Sequence, residues 1–107
     1  HRLKLVVTTG LRTPAGIAMV ATTAGGAWRA ETPEVAAPAY GAGDLFCAIF
    51  LGRYLELGRP DGALALAASS MHAVFEETRR RGRPELALIE AQAALIAPPH
   101  LFAAEEL

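Results

Sequence analysis

The 107-residue chain has one cysteine, one tryptophan and one lysine. A lone Cys47 excludes an internal disulfide and fits a reducing, cytoplasmic setting. No uninterrupted apolar stretch reaches the roughly 20 residues of a membrane span, and no signal-peptide pattern opens the sequence. A charge excess is missing too: the formal net charge is −1, so no basic face follows that could track nucleic acid. The one basic run, Arg79-Arg80-Arg81-Gly82-Arg83, reads as a solvated helix end, where cations complement the helix dipole. Internal repeats and low-complexity segments are also lacking. What remains is ordinary globular material, 52% hydrophobic and 20% charged, long enough for one domain at most and a modest core.

The pattern along the chain is α/β, about three strands followed by three helices. Leu3 to Val7 reads as a buried strand that ends in Thr8, Thr9 and Gly10. Arg12 to Gly16 is turn chemistry. Gly16 to Thr22 and Ala27 to Thr32 form a hairpin closed by Ala24-Gly25-Gly26. Pro33 and Pro38 keep residues 33–40 extended and irregular. Residues 45–57 are apolar on nearly every side, the mark of a helix buried in a larger structure. Gly58 stops that helix, and Pro60 with Asp61 starts the next. Along it Ala63, Leu64, Ala67, Met71, Val74, Phe75 and Thr78 recur at helical spacing, and Gly82 supplies the residue after its end. Ser69, Ser70 and His72 lie on or near its packing face and read as packing groups. Cys47, inside the run from Leu45 to Leu51, reads as a core residue, since no activating base stands near it. Residues 84–96 are helical or mixed, Pro98-Pro99 breaks them, and a short amphipathic tail follows. A chain that opens on a strand at His1, with too few elements to surround the 45–57 helix, reads as part of a longer protein.

The stretch Tyr40-Gly-Ala-Gly-Asp-Leu-Phe46 carries the candidate chemistry. With Gly41, Ala42 and Gly43 in the first turn of a helix, free backbone N–H groups and the helix dipole make an anion site. Glycine lets a ligand come close to the backbone there. A carboxylate repels phosphate, so Asp44 fits a role on the other reactant, accepting a proton from an alcohol that attacks phosphorus. The plain alternative is a stabilising acid at a helix start. Gly-x-Gly-Asp arises by chance in about one chain in forty of this length, so the motif alone does not decide between them. It is neither a Walker A loop nor a Rossmann fingerprint.

"YGAGDLFCAIFLGRYL" resembles the Gly-Thr/Ala-Gly-Asp signature of the ribokinase-like superfamily of sugar and vitamin kinases. "LVVTTG", "GGAWRAETPEV" and "ELALIEAQAALIAPPHLFAAEEL" follow in the order seen toward the C-terminal end of pyridoxal kinases, so the resemblance covers essentially all 107 residues. It implies the C-terminal part of a three-layer α/β/α kinase domain, with strands and nucleotide-side loops in 1–40 and the anion-hole turn and helices in 41–107. It implies ATP-dependent phosphorylation of the 5′-hydroxyl of pyridoxal, with ATP and Mg2+ as cofactors and a homodimeric parent. Asp44 would be the catalytic base and the contact to the substrate hydroxyl. Gly41, Ala42 and Gly43 would form the anion hole. Thr8 and Thr9 would lie near the ATP phosphates, and Thr32, Pro33, Glu34 and Val35 along the adenine side. No residue is assigned to a metal. Ala42 stands where the family often has Thr; the backbone donors survive that change and a hydroxyl contact does not. The family's vitamin pocket lies mostly in its N-terminal part, so the 107 residues alone are expected to be inactive. Two alternatives remain: a kinase for hydroxymethylpyrimidine or a sugar, and a non-enzymatic α/β binding module.

Overall fold

The computed structural model describes residues 5–36, 41–82 and 85–107. Three strands form an antiparallel meander: β1 (Leu5–Thr13), β2 (Gly16–Thr23) and β3 (Gly26–Thr32). Both reversals are two-residue turns, Pro14-Ala15 between paired Thr13 and Gly16, and Ala24-Gly25 between paired Thr23 and Gly26. Gly16 is required by close packing: a Cβ there would lie 2.0 Å from the Thr32 carbonyl oxygen and 2.9 Å from Pro33 Cα. That approach holds the segment after β3 against the start of β2.

Two helices follow, α1 (Ala42–Leu57) and α2 (Pro60–Arg81), then a short α3 (Gln92–Ile96). Helix α2 has Pro60 in its first turn, and the Gly82 N–H donates to the Thr78 and Arg79 carbonyls at its end. Its small residues let it lie closely on β2 and β3, while α1 packs on α2. The core is formed by Met19, Ala21 and Ala30 from the sheet, Phe46 and Phe50 from α1, and Leu64, Ala67, Ala68 and Met71 from α2. Burying a side chain such as Leu64 stabilises the fold by about 1.5–3 kcal/mol.

The hairpin, both long helices and their ends agree with the sequence reading, as does the solvated, Arg-rich end of α2. Four expectations need correction. β1 does not end at Val7: a register shift between Thr8 and Leu11 absorbs Gly10, and the strand runs on to its own hairpin with β2. It is not buried either, because it pairs on one side only among the described residues and exposes Val6 and Leu11. A fourth strand, β4 (Glu105–Glu106), adds to β3, with the Leu107 N–H donating to the Ala27 carbonyl at 2.8 Å. The tail is thus sheet, which crosses the expected split between strands in 1–40 and helices in 41–107. Cys47 is exposed, not core, since the described residues cover α1 only on the side of Phe46 and Phe50. The readings of Leu3, Pro38, Tyr40, Arg83 and Pro84 fall outside the described residues.

Candidate functional site

The left-handed turn before α1 creates the site. Gly41 is the N-cap residue with φ 81° and ψ 0°, a conformation that costs any residue with a Cβ. No side chain caps this helix start, so its first N–H groups remain open for a ligand. Among the described residues, chain neighbours aside, nothing lies within 4 Å of where a Cβ at Gly41 or Gly43 would sit. The backbone is therefore approachable from outside. Gly43 is helical, and among the described residues no neighbour demands a glycine there.

Asp44 is the third residue of α1 and is exposed. Among the described residues its carboxylate has no hydrogen bond or ion pair, and it does not cap the helix. A simple capping role therefore lacks its hydrogen bond. The negative charge still complements the helix dipole, and both oxygens are open to a reactant.

Beside this turn lies a cleft of about 330 Å³ between the sheet, the segment after β3, the start of α1 and the middle of α2. It gathers Thr9, Thr32, Pro33, Glu34, Val35, Ala42 and Gly43 from three separate parts of the chain. Those are seven of the residues assigned from sequence. Thr8, Gly41 and Asp44 are not among its lining residues; successive side chains alternate along β1, so Thr8 is exposed while Thr9 faces the cleft. Arg12 and Glu34 both line the cleft and form an ion pair across it.

Sequence reasoning missed three contributions. Arg12 read as turn chemistry because the extension of β1 past Gly10 was not foreseen. Phe46, Met71 and Phe75 are apolar wall residues that periodicity assigned only to the core. His72 also lines the cleft. It is 7% exposed, its ring meets Phe102 edge-on at 4.9 Å, and its Nε2 lies 3.4 Å from Glu76 Oε1. Its position beside Met71 on the α2 stripe was the available signal. Ser69 and Ser70, by contrast, are packing groups as expected. Ser69 Oγ donates to the Ala65 carbonyl at 2.6 Å and accepts from the Phe102 N–H at 2.8 Å, and Ser70 Oγ donates to the Ala94 and Leu95 carbonyls.

Among the described residues no group of three His, Cys, Asp or Glu side chains could hold a metal ion. No described helix is long and apolar enough to cross a membrane.

The fold is shared with solved structures. A pyridoxal kinase from Entamoeba histolytica superposes with a TM-score of 0.83 at 16% identity, over 98% of this chain and 38% of that one. A Bacteroides thetaiotaomicron protein assigned as a phosphomethylpyrimidine kinase superposes with a TM-score of 0.85 at 18% identity, over 97% and 38%. The fold is thus that of a region of these vitamin-related kinases. In sequence the chain is related to the pyridoxal kinases named PdxY. It is 49% identical over 87 residues to that of Rubrobacter xylanophilus and 38% identical over 93 residues to that of Deinococcus radiodurans. These matches take in 80% and 85% of this chain but 30% and 31% of the relatives, so it spans about a third of their length. No protein-family model matches.

Proposed function

We propose that these residues form the phosphoryl-donor side and the catalytic acid–base group of an ATP-dependent pyridoxal kinase. The observation that carries this reading is the convergence, in one cleft, of Thr9, the Thr32–Val35 segment and the open amides of Ala42 and Gly43. A nucleoside triphosphate laid in the cleft brings its phosphates to the helix start, where N–H dipoles favour charge that grows during transfer. In this reading Thr9 lies near the phosphates and Val35 along the base.

Asp44, at the lip, accepts the proton of the 5′-hydroxyl of pyridoxal. The alcohol oxygen forms a bond to the γ-phosphorus, the bond from that phosphorus to the bridging oxygen breaks, and ADP leaves with the electron pair. The proton ends on the Asp44 carboxylate. Pyridoxal is favoured over hydroxymethylpyrimidine because the sequence relatives carry the pyridoxal kinase name, whereas the pyrimidine kinase likeness is one of fold. A module without catalysis would leave the unpaired Asp44 without a task. The open face of α1 supports a further part of this proposal, that the 107 residues are inactive without the rest of a chain of the relatives' length; the proposal also takes such a chain to be a cytoplasmic homodimer.

The test is Asp44→Asn in a kinase of that length carrying these residues. Phosphorylation of pyridoxal should fall by about 10²–10⁴-fold, while the melting temperature stays within a degree or two. Unchanged turnover would remove Asp44 from the chemistry.

A further inference from the structure

The lining of the cleft is mixed: Thr9, Arg12, Glu34 and the first turn of α1 are polar, and Met19, Phe46, Met71 and Phe75 are apolar. His72 interrupts the apolar wall. Among the described residues its Nδ1 is the one buried side-chain nitrogen or oxygen with no hydrogen-bond partner. Burying such an atom unpaired costs free energy, and a phenylalanine at 72 would meet Phe102 as well without that cost. Packing on Phe102 and the Nε2 contact with Glu76 therefore leave Nδ1 unaccounted for.

We infer that His72 is a specificity-determining residue, its Nδ1 forming a hydrogen bond with the heteroaromatic base of the nucleoside triphosphate. The inference rests on the nucleotide reading above. The base is the occupant, and not the ring of pyridoxal, for a reason of position. With the phosphates at the α1 amides, the base of the same molecule lies along the apolar lining, and Asp44, which meets the alcohol, is not among the lining residues. The Nε2 side of the ring faces Glu76, which leaves Nδ1 for the ligand.

Substitutions separate the two nitrogens, because an Asn side chain can reproduce the Nδ1 position and a Gln side chain the Nε2 position. Calorimetric titrations of a kinase of the relatives' length carrying these residues, with ATP, inorganic triphosphate and pyridoxal, beside a thermal melt of each variant, make the test. His72→Phe and His72→Gln should weaken ATP about tenfold, the loss of one hydrogen bond. His72→Asn should retain most of the affinity, and triphosphate should bind all four proteins alike. Equal ATP affinity in the native chain, the Phe variant and the Gln variant overturns the assignment and leaves the nucleotide reading standing. Weakening of pyridoxal instead of ATP overturns it in favour of a vitamin contact. A native chain that binds neither ATP nor triphosphate overturns the nucleotide reading and this inference with it.

Discussion

Helices α1 and α2 lie side by side, yet α2 buries twelve residues and α1 only Phe46 and Phe50. The polar groups of α2 are answered within the fold. Ser69 and Thr78 bond to carbonyls one turn back, Ser70 reaches the α3 end, and Gly82 closes the C-terminus. In α1 the same kinds of group are left open among the described residues: the first N–H groups have no side-chain cap, Asp44 has no partner, and Leu51 and Leu55 stand in solvent. Stability resides in the satisfied helix, and the candidate chemistry sits where the fold leaves donors and acceptors free. His72 is the exception within α2: among the described residues its buried Nδ1 has no partner, and the residue lines the cleft that α1 borders.

The sharpest way to break that comparison is to remove apolar bulk from each helix. Leu64 is fully buried and Leu55 is 76% exposed. Leu64→Ala should destabilise the chain by about 2–5 kcal/mol, the transfer and cavity contributions together. Leu55→Ala should change stability by less than about 0.5 kcal/mol. Urea unfolding followed by circular dichroism measures both. A large cost at Leu55 would mean that α1 is covered in solution, by a second copy or by a contact these residues make elsewhere.

Much of this contrast was legible in the sequence. The α2 stripe, its Pro60 start and its Gly82 end were readable because each depends on local geometry within a few residues. The Gly41–Asp44 turn was readable for the same reason. What escaped depended on pairing at a distance. Nothing local in Glu105-Glu106 announces a strand, since its partner is Trp28-Arg29 some 77 residues away. The continuation of β1 past Gly10 depends on register with β2, so Arg12 and its pairing with Glu34 were hidden. Cys47 was misread because an apolar run gives no measure of how many partners surround it.

A smaller effect sharpens the comparison at Thr78. Its Oγ1 donates to the Val74 carbonyl at 2.7 Å and accepts from the Ala87 N–H at 2.9 Å, tying α2 to the segment before α3. Thr78→Val keeps the shape and leaves a buried N–H at Ala87 without a partner. The expected loss is about 1–3 kcal/mol, with faster amide exchange at Ala87 by NMR. If that amide exchanges no faster, another acceptor replaces the hydroxyl, and α2 is less dependent on this link than the geometry indicates.

The smallest effect lies at the C-terminal end of α2. The Glu77 carboxylate accepts hydrogen bonds from Arg81, at 2.6 Å, and from Arg80. These hold its pKa below the ordinary value of 4.5 against the opposing effect of burial. A depressed folded-state pKa contributes stability that is fully present above the unfolded value and lost as pH falls through the folded one. Glu77→Gln should therefore cost a little stability at pH 7, and the difference from the native chain should shrink as acid protonates the native carboxylate. Melting temperatures of the two proteins, measured from pH 7 down to about pH 3, should converge at the acid end. A gap that stays constant across that range would show that the arginines do not stabilise the charged form. The solvated end of α2 would then be as loosely partnered as the start of α1.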